Sequence, residues 1–116
     1  MINKDSEDND KVRIYKISVE MFIGRKGGTT SMLIMECISI APCNINEISK
    51  KIGLHYNTVK YHVDLLCENE LLENDGKKYG RLYYFSQKLL ENLDAYKQVL
   101  YKANFKAKIR NDSYDK

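Results

Sequence analysis

Residues 45–66 constrain this chain more than any other stretch. Ile48 and Ile52 lie four apart, on one face of a helix, with the small Ser49 beside them. Gly53 stands where a left-handed residue ends such a helix. Leu54 follows, and a few residues later Val59, Val63 and Leu66 mark the apolar side of a second helix. Two short helices, each apolar on one side only and joined by a turn containing glycine, form a helix-turn-helix. The small side chain of Ser49 suits a level at which the two helices cross closely.

The flanks extend the pattern. Leu71 and Leu72 open a short strand, Asn74-Asp75-Gly76-Lys77 carries an Asp-Gly turn signal, and Arg81-Leu-Tyr-Tyr-Phe85 returns as a second strand. A hairpin in that place is a wing, with Lys77, Lys78 and Arg81 at or near its tip. Ser86 is positioned to cap a C-terminal helix over residues 86–106. Leu89, Leu93, Tyr96, Leu100 and Ala103 step along it by four, three, four and three, a heptad seam expected to pair with its copy in a second chain. Upstream, Thr29 or Thr30 is the expected cap of a helix through Met32 and Ile40, which Pro42 ends. Residues 12–23 alternate apolar and polar side chains, which favours a strand, although Ile14, Ile17 and Met21 also share a helical face. The expected class is therefore mainly α with a small β-hairpin (α+β): a leader over residues 1–10 without structure, one domain over 11–106, and a flexible tail over 107–116.

Composition narrows the function classes. The net charge is +3, yet residues 1–10 set Lys4 against Asp5, Glu7, Asp8 and Asp10, so the body of the chain is more basic than the total suggests. That distribution fits a binder of polyanions. No apolar run approaches the roughly 20 residues a bilayer requires, so no membrane partner is expected. Cys37, Cys43 and Cys67 are odd in number and irregularly spaced, which is no disulfide framework; a cytoplasmic location is the default. The cysteines and two histidines lack metal-ligand spacing, and no phosphate-binding glycine loop or nucleophile constellation is present. No enzyme activity, cofactor or metal is expected, and a small-molecule or redox effector has no support in the sequence.

The run Asn46-Glu-Ile-Ser-Lys-Lys-Ile-Gly-Leu-His-Tyr-Asn-Thr-Val-Lys-Tyr-His-Val-Asp-Leu-Leu66 resembles the helix-turn-helix of ArsR-type winged-helix regulators. The Arg25-Lys-Gly-Gly-Thr29 lead and the Lys78-Tyr-Gly-Arg-Leu-Tyr83 stretch are similar to an archaeal branch of that family, and the resemblance covers about residues 24 to 90. It implies a homodimer that binds double-stranded DNA, with the helix over residues 56–69 in the major groove. Two departures stand out: His55 occupies the capping place commonly held by serine or aspartate, and Tyr61 a place where arginine is frequent. The cysteine-rich motif of the metal-responsive members is absent.

With Val59, Val63 and Leu66 turned inward, Tyr56, Asn57, Lys60, Tyr61 and Asp64 face outward. Asn57 suits adenine, Lys60 suits guanine or phosphate, and the tyrosines offer hydroxyls to phosphate and ring edges to thymine methyls. Thr58, in the first turn, joins the helix N-terminus as a phosphate holder. Lys77, Lys78 and Arg81 would meet the flanking backbone, as would Arg25 and Lys26. The seam places Leu89, Leu93, Tyr96 and Leu100 at a dimer interface. The plainer readings are a solvated turn for the wing lysines, packed tyrosines, a packed His62, and cysteines that serve as small hydrophobes. The competing function is a winged helix used for protein contacts without specific DNA binding; it should show exposed aliphatic or acidic residues on the second helix.

Overall fold

The computed structural model describes the backbone of residues 4–114 and the side chains of residues 9–104. Its elements run α1 (Lys4–Phe22), α2 (Gly28–Ile40), α3 (Ile45–Ile52), α4 (Tyr56–Glu68), β1 (Leu72–Asn74), β2 (Tyr83–Phe85), α5 (Gln87–Leu90) and α6 (Leu93–Tyr114). The helix-turn-helix is α3–α4, β1 and β2 form the antiparallel wing, and α1 packs chiefly along α6.

The expectation of a strand over residues 12–23 is overturned, because α1 is helical throughout. Ile14, Ser18, Met21 and Phe22 are buried, a stripe at spacings of four, three and one; Tyr15, Ile17, Val19 and Ile23 are half-buried along its edges. So wide an apolar face mimics a period of two, and α6 and α2, not a strand, cover it. Residues 4–10 of the acidic leader belong to the same helix; residues 1–3 lie outside the described residues. At the other end, the helix expected over residues 86–106 is broken at Glu91 and Asn92, and its second part continues to Tyr114. Residues 115–116 of the expected tail, and all side chains beyond 104, lie outside the description.

The cap of α2 is Gly27, in the left-handed region at φ 86°, rather than Thr29 or Thr30. Gly28 follows because α1 and α2 meet there: a Cβ at Gly28 would lie 2.3 Å from the carbonyl oxygen of Phe22. At the far end Ala41 is extended, as the residue before Pro42 must be. Cys43 then exchanges two backbone hydrogen bonds with Tyr83 (3.2 and 2.9 Å), which fastens the wing to the chain just ahead of α3.

The core is continuous. Ile34, Met35 and Ile38 of α2, Ile48 of α3, and Val59, Val63 and Leu66 of α4 are buried together with Leu71 and Leu72. Leu89 and Tyr96, expected at the dimer seam, are also buried here. Tyr96 meets Phe22 and Phe85 edge-on at centroid distances of 5.9 and 5.7 Å, and burial pushes its hydroxyl well above the usual tyrosine range. Leu93 and Leu100 are only half-buried. Ser86 caps α5, accepting from the Leu89 amide at 3.0 Å, while its hydroxyl donates to the Glu70 carbonyl at 2.7 Å.

Gly28→Ala should destabilise the fold by about 3 kcal/mol, because neither backbone at the α1–α2 contact can yield cheaply. Gly53→Ala, at φ 70° with open space around it, should cost only about 1–2 kcal/mol. Urea denaturation of the two variants checks the order, and equal losses would refute it.

Candidate nucleic-acid interface

The turn that presents α4 is built by local hydrogen bonds. Asn44 caps α3 by accepting from the Glu47 amide (2.8 Å), and the Glu47 carboxylate accepts from the Asn44 amide (2.9 Å), a reciprocal capping box. Gly53, in the left-handed region, donates its amide to the Ser49 carbonyl at 2.9 Å. The Ser49 hydroxyl donates to the Leu54 carbonyl, so this side chain ties the turn together as well as being small. His55 takes the capping role: its Nδ1 accepts from the Asn57 amide at 3.2 Å.

On α4 so placed, Tyr56, Asn57, Thr58, Lys60 and Tyr61 are all exposed, Tyr61 at 60%. Lys60 donates to Asp64 at 2.7 Å, and that bond holds its ammonium above the ordinary lysine value. Asp64 therefore tethers Lys60 along the helix surface.

The wing supplies the second part of the surface. Its strands pair Leu72 with Phe85, Glu73 with Tyr84 and Asn74 with Tyr83, leaving residues 75–82 as a loop longer than the Asp-Gly signal suggested. The Asp75 carboxylate accepts from the amides of Lys77 (3.1 Å) and Leu82 (3.3 Å), and Arg81 Nε donates to the Lys77 carbonyl (2.8 Å). Lys77, Lys78 and Arg81 are exposed, and Lys78 lies over the Tyr79 ring at 5.7 Å. Lys78 and Arg81 join Tyr56, Asn44 and Asn46 around a cleft of about 280 Å³ between the wing and the N-terminal ends of α3 and α4. Cations and two helix N-termini thus face one opening, an arrangement that attracts anions.

Arg25 does not join this surface, contrary to expectation. It turns inward, where Nη2 donates to the Ser31 hydroxyl (2.7 Å) and to Nδ1 of His62 (3.1 Å), while Nη1 donates to the Lys26 carbonyl (2.9 Å). His62 is buried on α4, and burial, with the Arg25 charge beside it, lowers its pKa. Lys26 stays exposed. The capping box is a feature the sequence reading missed, although Asn44 three residues before Glu47 is its local signal. The Arg25–His62 contact and the Cys43–Tyr83 bridge join residues 37 and 40 positions apart and carry no local signal.

The cysteines are free; Cys43 is buried, with its thiol donating to the Ala41 carbonyl at 3.2 Å, and burial raises the Cys37 and Cys67 thiols. Among the described residues no group of metal-ligating side chains converges, and no helix is long and apolar enough to cross a membrane.

No family model matches the chain, and no curated protein matches it. Solved structures do. The homodimeric winged helix-turn-helix DNA-binding domain of a possible ArsR-family transcriptional regulator from Mycobacterium bovis aligns with a TM-score of 0.57 at 15% identity, over 92% of this chain and 93% of that one. A MarR family protein from Bacillus stearothermophilus aligns at 0.55 and 12% identity, over 92% and 80%. The oxidized form of MarR from E. coli aligns at 0.54 and 12%, over 90% and 79%. These likenesses, with the α3–α4 unit and its hairpin, define the fold: the chain is a winged helix-turn-helix.

Because His62 is kept neutral in the fold, its contribution to stability is fully present above the unfolded value of about 6.5 and is lost as the pH falls towards the lowered folded value. Urea midpoints measured from pH 7.5 to 5 should decline for the wild type, and the decline should shrink in His62→Asn. An unchanged slope in the variant would assign the decline to other groups.

Proposed function

We propose that the chain is a DNA-binding transcriptional regulator that acts as a homodimer, with α4 in the major groove and the wing against the flanking backbone. The observation that carries this reading is the surface that α4 shares with the wing. Tyr56, Asn57, Thr58, Lys60 and Tyr61 stand exposed on one helix, and Lys78 and Arg81 close a cleft against its first turn. Phosphates would meet the wing cations and the helix N-termini, while Asn57, Lys60 and Tyr61 would read base edges. Lys60 must leave Asp64 to do so, which favours guanine or phosphate as the competing acceptor. The residues of the α3–α4 motif favour an ArsR-type regulator, the Arg25–Thr29 lead and the Lys78–Tyr83 stretch favour its archaeal branch, and repression by occlusion of a promoter is the simplest action.

The dimer reading rests on a groove of about 560 Å³ between α2 and α6, lined by Met32, Leu90, Leu93 and Leu100 with Glu36 and Lys97 at its walls. Leu33, Ile40 and Tyr101 are exposed large side chains on these same two helices. The seam narrows to Leu93 and Leu100, since Leu89 and Tyr96 are committed to the chain's own core. The M. bovis domain, similar over nearly its whole length, is homodimeric, which supports a dimer here.

Fluorescence anisotropy with duplexes selected from a randomised library tests the function. The double variant Lys60→Ala, Tyr61→Ala should lose about tenfold or more in preference for the selected duplex over a scrambled one. The double variant Lys78→Ala, Arg81→Ala should weaken both duplexes alike and reduce the salt slope by about two. Wild type that selects no duplex would point instead to a protein-docking winged helix. For the dimer, Leu93→Glu with Leu100→Glu should sediment as monomer at micromolar concentration where wild type sediments as dimer; a wild-type monomer would end that reading.

A further inference from the structure

The side of α4 that faces the core is aliphatic apart from His62: Val59, Val63 and Leu66 are wholly buried. Aliphatic contacts are non-directional, so they set how deeply the helix sits but hold its rotation weakly. On a helix whose side chains reach about 6 Å from the axis, a rotation of about 10° displaces their tips by about 1 Å. That shift is enough to spoil hydrogen bonds aimed at base edges.

The directional contacts at this level come from His62. Its Nδ1 accepts from Arg25 Nη2 at 3.1 Å, and Ser31 Oγ of α2 lies 3.5 Å from the same nitrogen. Arg25 is itself held on two other sides, by Ser31 at 2.7 Å and by the Lys26 carbonyl at 2.9 Å. The loop is moulded to the imidazole as well: a Cβ at Gly27 would lie 2.7 Å from His62 Cε1. The exposed ring of Tyr61 meets the imidazole edge-on at 5.2 Å. A chain of contacts therefore runs from the α1–α2 loop through the ring of His62 to the outward face of α4.

We propose that Arg25 is a positioning residue for the DNA-reading face of α4, fixing the helix's rotation through Nδ1 of His62 without touching DNA itself. The inference rests on the DNA-binding reading of α4. A guanidinium has only donors, so the contact requires Nδ1 unprotonated and the ring proton on Nε2. Protonation of His62 would set an imidazolium against the guanidinium and break the contact. Arg25 is the charged group facing His62; Ser31 from α2 and Gly27 from the loop are uncharged. The recognition face would then lose definition in acid while the aliphatic core keeps the fold.

The test compares wild type, Arg25→Met, Ser31→Ala and His62→Asn, the last retaining an acceptor oxygen close to where Nδ1 stands. The readouts are the affinity ratio for the selected over the scrambled duplex, its pH profile and the salt slope. Arg25→Met should lower the ratio about tenfold with the salt slope unchanged. His62→Asn should keep the ratio and remove the loss that wild type shows as the pH falls through the lowered value of His62. A ratio unchanged in Arg25→Met would overturn the proposal. So would equal weakening of both duplexes with a slope reduced by about one, the signature of a phosphate contact. Nitrogen-15 NMR of the free protein gives a reading independent of DNA. The Nδ1 signal of His62 should be that of an unprotonated nitrogen, and Arg25→Met should shift the amides of Lys60, Tyr61 and Asp64 while leaving those of the wing in place. If wild type selects no duplex, the DNA reading fails, and these shifts alone decide whether Arg25 orients α4; their absence overturns it. Should Arg25→Met not fold, Ser31→Ala and Arg25→Lys give the same comparison with the loop retained.

Discussion

Tyr96 sits where the terminal helices meet the wing within the continuous core. Its ring is met edge-on by Phe22, from the end of α1, and by Phe85, from the returning strand of the wing. Each edge-on aromatic pair is worth about 0.5–1.5 kcal/mol beyond the area it buries. The pair of contacts also has direction, because quadrupoles favour the edge-to-face geometry. The long terminal helices are thus fixed relative to the hairpin, and the hairpin, through Cys43 and Tyr83, relative to α3. The orientation of α6 and the orientation of the helix-turn-helix are set by one continuous set of contacts.

The helix-turn-helix was legible because its determinants are local. Gly53 and the aliphatic stripe of α4 each act within a few residues of where they stand and appear in their expected roles, while Gly76 of the wing takes the positive φ expected of it inside a longer loop. Residues 12–23 were misread for a physical reason: α1 is covered on more than one side, so its apolar face widened until alternation and helical periodicity coincided. The heptad seam had a similar flaw. A repeat of four and three identifies a face that wants covering, but it does not say whether the cover is another chain or the chain's own α1 and β2. Leu89 and Tyr96 found theirs at home.

The candidate surface divides in the same way. The exposed residues of α4 follow from which ones are inward, so Tyr56, Asn57, Thr58, Lys60 and Tyr61 could be placed in advance. Arg25 could not. Its sequence neighbours Lys26, Gly27 and Gly28 read as an exposed basic lead, and only the packing of α4 against the α1–α2 loop gives the guanidinium a buried partner. Hydrogen bonds from the half-buried guanidinium to Ser31 and His62 offset part of the cost of taking it out of water.

The wing loop, finally, is fastened at its base rather than along its length. The strand ladder ends at Asn74 and Tyr83 with one further backbone bond from the Asp75 amide to the Leu82 carbonyl (3.2 Å), Cys43 secures the returning strand from the other side, and the residues between are held chiefly by the Asp75 side chain and by bonds internal to the loop. Closing a longer loop costs little, since each doubling of length adds only about 0.6 kcal/mol. The reach of the wing is therefore decoupled from the stability of the domain. Insertions between Gly76 and Gly80 would lengthen its span along a ligand and leave the core untouched. A scaffold built this way can acquire a different footprint without being refolded.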